Sequence, residues 1–174
     1  MLRQKVDIKD QLLLGLTVSA SGSSDFDLNP VSKEKRTASL RDAAVLIGVY
    51  SSVDGPCVLL TRRAAHLKHH PNQVAFPGGK VEQGESVFDA LKREFEEEVG
   101  VQILSADAWC GVEHVYPHAH VRLHFFISRA WKGEPQAREG QELAWQGSVA
   151  VEPVLPATIP LLEWLDRIRY GEPL

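Results

Sequence analysis

The chain has 174 residues, 44% apolar and 24% charged, which suits one domain with a full core and is too short for two ordinary ones. Its net charge of −4 excludes the basic surface of a general nucleic-acid binder, so a phosphate ligand would need cations from elsewhere. Two cysteines are too few for a disulfide framework, and no apolar run approaches the roughly 20 residues that span a membrane.

Residues 1–40 read as an N-terminal extension: a short helix over Asp7–Leu16, a flexible Ser19–Asp25 connection and the charge run Lys33-Glu34-Lys35-Arg36. The apolar Leu12–Val18 with Val18-Ser19-Ala20 loosely imitates a secretion signal. Asp7 and Asp10 stand where such a signal carries positive charge, so a cytoplasmic protein is expected. Residues 41–174 form the expected domain. Ala43–Tyr50, continuously apolar and β-branched, reads as a central strand. Asp54-Gly55-Pro56 is turn chemistry, and Cys57–Thr61 returns as a second strand. A polar, His-rich loop over 64–73 leads to a short strand, Val74-Ala75-Phe76, stopped by Pro77-Gly78-Gly79. Residues 86–99 read as a helix. Ser86 caps it with Asp89 as the reciprocal partner, Val87, Leu91 and Phe95 form one apolar stripe, and Gly100 ends it. Trp109–Tyr116 and Val121–Ala130 read as a strand pair, Glu142–Gln146 as a further strand, and Ile159–Arg169 as a terminal helix with Ile159, Leu162, Leu165 and Ile168 on one face. Cys57 and Cys110 sit in strand-like runs and are expected as buried free thiols. Together these elements predict an α+β domain, an α/β/α sandwich with a mixed sheet.

The chemistry concentrates in the segment from Gly79 to Val101. Glu94, Glu97 and Glu98 sit at i, i+3 and i+4 and share one helical face. Their mutual repulsion is worsened by the negative end of the helix dipole, and it is relieved if a cation binds. Hard oxygen ligands suit Mg²⁺ or Mn²⁺, and such ions act on phosphates and water. A solvated acidic face eased by Lys92 and Arg93 is the alternative from spacing alone.

The same segment resembles the Nudix box at every specified position: Gly79, Glu85, Arg93, Glu94, Glu97, Glu98 and Gly100 are in place, with Phe95 and Val101 apolar. Seven fixed residues coincide by chance about once in 10⁸. The resemblance implies a loop–helix–loop in the sandwich and a hydrolase acting on a nucleoside diphosphate joined to another group. It implies Glu94, Glu97, Glu98 and the Gly78 carbonyl as metal ligands, and Glu94 as general base. Arg93, Glu85 and Lys80 would be supporting catalytic residues, with Arg93 orienting the carboxylates through a fork that Lys lacks.

Two branches of the family compete. Phe76–Glu82, Val121–Phe126, Trp131–Pro135, Arg138–Gln141 and Leu155–Pro160 resemble the MutT-type nucleoside triphosphate pyrophosphohydrolases. That resemblance implies Glu139 as a further metal ligand and Arg63, Phe76 and Thr158 as substrate contacts. Thr158 stands where the branch has a base-reading Asn, and a single hydroxyl offers less than an amide. Leu59–Ala64, Lys68, Asn72 and Phe76–Gly79 resemble the coenzyme A-type enzymes, with Lys68 for Arg and Asn72 for Gly. The MutT-like reading is preferred. A catalytically silent nucleotide-binding module is the rival of another class, and the intact box argues against it. The expected partner is a small nucleotide or dinucleotide-like substrate, not a nucleic-acid polymer or a membrane, and a homodimer stays open. The seven histidines lack zinc spacing; His66, His69 and His118 are candidates to line the cleft.

Overall fold

A computed structural model describes residues 39–53, 55–147 and 151–170. The expectations for the N-terminal helix, linker and charge run, and for Asp54, lie outside the described residues.

The order of elements is β1 (Leu40–Ser52), β2 (Gly55–Arg62), β3 (Val74–Ala75), β4 (Gly78–Lys80), α1 (Val87–Val99), β5 (Gln102–Tyr116), β6 (Ala119–Lys132), β7 (Glu142–Gln146), a 3₁₀ turn (Pro156–Thr158) and α2 (Ile159–Tyr170). They form one mixed sheet with β1 at its centre. β1 runs parallel to β6 from Leu40 to Gly48, and the other pairings are antiparallel.

Along its other edge β1 changes partner. Val49–Ser52 pair with β2, whereas Ala43–Val45 pair with β4. β2 in turn passes from β1 to β3 at Thr61 and Arg62. The two strands therefore splay apart, and the segment from Val74 to Lys80 fills the gap. The Leu46 N–H donates to the Pro77 carbonyl at 3.0 Å and fixes its apex. This corrects one sequence expectation: Gly78 and Gly79 continue the sheet and do not merely stop a strand. Gly55 and Pro56 likewise pair with Ser52 and Ser51 and belong to β2.

Strand alternation sorts the core into two layers. Ala44, Leu46 and Leu59 face α1, whose Ala90, Leu91, Phe95 and Val99 are buried against them. Val45, Ile47, Leu60, Phe125 and Ile127 face the other way and meet Leu161 and Leu162 of α2. The helices thus cover opposite faces of the sheet, as the layered reading requires. The expected stripe on α2 is corrected: Ile159 is 43% exposed, and Leu161 joins Leu162 in the core. β5 also begins seven residues earlier than the Trp109 start expected, because its irregular stretch hides the strand period. Both cysteines are free thiols and half-buried, less than expected. Burial pushes the Cys110 thiol up to about 12. Among the described residues no helix is long and apolar enough to cross a membrane.

Candidate active site

The site is built where α1 crosses the glycine strand β4. Ser86 caps α1: its hydroxyl accepts from the Asp89 N–H at 3.1 Å and donates to the Asp89 carboxylate at 2.6 Å. Gly100 closes the other end in a left-handed conformation at φ 77°, donating its N–H to Glu96 O. These caps fix the register of the three-glutamate face.

The last turn of α1 contains no basic residue, so its carbonyls must find donors elsewhere. They find them in the segment after β6. The Gln136 and Arg138 N–H groups donate to Val99 O and Glu98 O. The Arg138 guanidinium donates to Glu96 O at 3.1 Å, and the Gln141 amide donates to Glu98 O at 2.7 Å. Between them sits Glu139, exposed, its N–H donating to Gln141 Oε1 at 2.7 Å. Glu139 is close enough for its charge to raise both Glu94 and Glu98.

Glu98 is the most deeply set carboxylate. Burial is the main cause that pushes it up to about 7. The Gly78 N–H, donating to Glu98 Oε2 at 3.1 Å, acts in the opposite direction; Glu139 and Glu94 add to the rise and Arg63 eases it. Glu94 is raised for the same first reason, against the Arg93 hydrogen bond and with Glu97 and Glu139 repelling it. Glu97 is 57% exposed.

Arg93 ties the face to the loop before it. Its Nε and one terminal nitrogen grip both oxygens of Glu85, each at 2.9 Å. Its other terminal nitrogen reaches Glu94 at 2.7 Å and Glu97 at 3.3 Å, and the guanidinium also donates to Lys80 O at 3.0 Å. The guanidinium beside Glu85 holds that carboxyl below its usual range. Lys80 contributes its carbonyl here, and its side chain is exposed.

The glycines are required by space. Gly78 has φ 151°, and a Cβ there would run into the Ala44 carbonyl; a Cβ at Gly79 would overlap the Glu94 carboxylate. The carboxylate face therefore lies directly on bare backbone.

The expected substrate contacts differ in burial. Arg63 is half-buried with its Nε unpartnered among the described residues. Phe76 is 4% exposed and packs edge-on against Phe125 in the core. Thr158 is also 4% exposed, in the 3₁₀ turn. Of the expected cleft histidines, His69 stacks on His118 at 3.9 Å, whereas His66 lies near Gly140. Sequence reasoning missed Arg138 and Gln141 as caps. Three glutamates at a helix C terminus lacking a cation were the available signal.

As they stand, no three His, Cys, Asp or Glu side chains are gathered as a metal-ligand group among the described residues. Glu94 is turned to Arg93 and Glu98 to Gly78. The donor set still fits a hard divalent cation: it is all carboxylate and carbonyl oxygen, partly buried and in mutual repulsion.

Residues 39–167 match the NUDIX domain family. The 8-oxo-dGTP diphosphatase of Escherichia coli (strain K12) is 36% identical over 113 residues, 64% of this chain and 87% of that protein. The protein of the same name from Buchnera aphidicola subsp. Acyrthosiphon pisum is 37% identical over 91 residues, 51% of this chain and 73% of that one. The crystal structure of MutT NUDIX hydrolase from Burkholderia pseudomallei superposes with a TM-score of 0.64 at 27% identity, over 72% of this chain and 97% of that chain.

Proposed function

The chain belongs to the NUDIX family, and from that premise we propose that it is a MutT-like nucleotide pyrophosphohydrolase. It would convert a nucleoside triphosphate, or deoxynucleoside triphosphate, to the monophosphate and pyrophosphate. The observation that carries this reading is the placement of Glu94 and Glu98 against the bare Gly78-Gly79 backbone, with Arg93 bonded to Glu94 and the charge of Glu139 acting on both. The similarity to proteins named 8-oxo-dGTP diphosphatase supports it.

Mg²⁺ or Mn²⁺ would be held by Glu94, Glu97, Glu98, Glu139 and the Gly78 carbonyl. When bound, the cation supplies charge neutralisation for the phosphates and acidifies water. Glu94 is the base: its burial keeps it more basic than an ordinary carboxylate, which suits it to take the proton of the attacking water. A water oxygen then bonds to phosphorus, and the bridging oxygen leaves with the pyrophosphate or monophosphate. Arg93 orients Glu94 and Glu97, and Glu85 orients Arg93. Arg63, whose charge acts on Glu98, and the exposed Lys80 would contact the phosphates. Phe76 and Thr158, both buried, would act by shaping the pocket wall.

The substrate is a small nucleotide, and we read residues 1–40 as an extension of a domain spanning 41–174. A cytoplasmic location and a homodimer fit this reading. The experiment is product analysis on a panel of triphosphates, oxidised bases included, with Mg²⁺ and with Mn²⁺, repeated with Glu97→Gln and Glu98→Gln. Monophosphate and pyrophosphate from the wild type, lost in both variants, are expected. An inert wild type that binds one nucleotide tightly would mean a silent binding module.

One observation favours a second reading, a coenzyme A-type pyrophosphatase. Asn72 has φ 60°, so it keeps the left-handed backbone that a glycine at that position of the coenzyme A signature provides. Cleavage of coenzyme A to 4′-phosphopantetheine and adenosine 3′,5′-bisphosphate, with triphosphates untouched, would select it.

A further inference from the structure

The loop between β2 and β3 is closed on Arg63. The Arg63 N–H donates to Gln73 O at 2.9 Å, and the Asn72 N–H donates to Arg63 O at 3.0 Å. His70 within it has φ 54° and Asn72 φ 60°. Two non-glycine residues in the left-handed region carry a backbone cost of about 1 kcal/mol or more each, which persists where the surroundings fix it. What surrounds the loop is a set of rings from the β5–β6 turn, some 45 residues further along the chain.

His69 stacks on His118 with centroids 3.9 Å apart and planes 11° apart. Tyr116 continues the column behind His118 at 5.6 Å and 19°. His70 and His114 brace Tyr116 from the side, tilted at 4.8 and 4.4 Å. The column emerges into solvent, because His69 and His118 are both exposed. At its inner end the Tyr116 hydroxyl is buried, with no hydrogen-bond partner among the described residues.

Arg63 links this column to the carboxylates. Its charge acts on His69, His70 and Tyr116, and also on Glu98. Its buried Nε has no partner among the described residues, which is costly unless a ligand completes it. A nucleotide with its phosphates at Arg63 and the glutamates would extend its base toward the rings. Planar heteroaromatic rings stack on such a surface regardless of their hydrogen-bonding pattern.

We propose that the His69–His118–Tyr116 column is the base-stacking subsite for a nucleotide substrate, with Arg63 bridging it to the phosphate site. This rests on the pyrophosphohydrolase reading and adds the element that distinguishes a nucleotide from a bare polyphosphate. It also assigns base contact to rings outside the box, since Phe76 and Thr158 are each only 4% exposed.

The test compares wild type with His69→Ala, His118→Ala and His118→Phe. For each, kcat/KM is measured on a deoxynucleoside triphosphate and on a ribose triphosphate lacking the base. The ratio of the two is expected to fall about ten-fold in His69→Ala, the size of one lost base stack, and likewise in His118→Ala, which removes the ring that holds His69 in place. His118→Phe should restore it, because a ring returns. An unchanged ratio in both alanine variants overturns the subsite, and so does a phenylalanine variant no better than alanine. A wild type inert toward every nucleotide overturns the hydrolase reading instead. In that case binding of a non-hydrolysable imido triphosphate by the same variants still tests the column, with the same ten-fold criterion.

Discussion

Arg93 grips Glu85 through two parallel bonds of 2.9 Å, from its Nε and a terminal nitrogen to the two carboxylate oxygens. The second arm of the same guanidinium reaches Glu94 at 2.7 Å. One planar group therefore carries the position of the loop before α1 into the orientation of the base candidate.

Lysine at this position keeps the charge and loses the fork. Arg93→Lys is expected to lower kcat by about ten- to a hundred-fold, the usual loss when a partner that orients a metal ligand is removed. Fold and thermal midpoint should change little, since a lysine ammonium can still pair with the half-buried Glu85. Steady-state kinetics beside a melting curve checks this. Wild-type turnover in the variant would show that Glu94 is oriented by something else.

The two adjacent glycines should fail differently. Gly78→Ala drives a Cβ into the Ala44 carbonyl, a backbone atom at the sheet centre that cannot move aside. The variant is expected to be grossly destabilised or insoluble. Gly79→Ala meets only the flexible end of Glu94. It should fold and lose at least about a hundred-fold in activity, since a catalytic group displaced by about 1 Å costs that much. Comparing soluble yield with activity separates the two. An active Gly79→Ala would place the Glu94 carboxylate elsewhere during turnover.

Gln141 closes the C terminus of α1 and accepts from the Glu139 N–H. Gln141→Ala frees that loop and leaves Glu98 O without its side-chain donor. The half-saturating Mn²⁺ concentration is expected to rise about ten-fold, with activity recovered at high Mn²⁺. A metal titration followed by hydrolysis rate reads this directly. If the curve does not move, Glu139 is not positioned through Gln141.

His70 titrates below its ordinary value of 6.5, chiefly because it is partly buried, while Gln73 acts in the opposite direction and His118, Arg63 and His69 add repulsion. A base with a lowered folded pKa adds stability that is complete above the unfolded pKa and lost as pH falls through the folded one. The wild-type melting temperature should therefore drop between pH 7 and pH 5 more steeply than that of His70→Asn. Asparagine tolerates the left-handed backbone there, so strain is not the variable. Parallel profiles for the two proteins would remove His70 from the account.

Much of the site was legible because it is local. Ser86, the Val87–Leu91–Phe95 stripe and Gly100 set the helix, and residues at i, i+3 and i+4 on a helix must share a face. The roles of Arg93 and Glu85 followed from the resemblance to the Nudix box, because Glu85 lies eight residues away in the loop before the helix. β7 fell where Glu142–Gln146 was expected, with polar flanks marking both ends. β5 was less legible, because bulges between Ile103 and Cys110 break the two-residue period. On α2 the apolar residues permit two faces, and only packing against β1 and β6 selects the one bearing Leu161.

By itself the sequence determined the caps, the helical face and the chemistry of its side chains, since these depend on neighbours within about one turn. Only the tertiary structure decided what meets that face. It splays β1 from β2 and slides Gly78 and Gly79 into the gap. It brings Arg138 and Gln141 back over 42 and 43 residues to the α1 carbonyls, and it sets His69 of the β2–β3 loop against His118 of the β5–β6 turn. Such contacts depend on strand order and register, which a short-range pattern of residues does not encode.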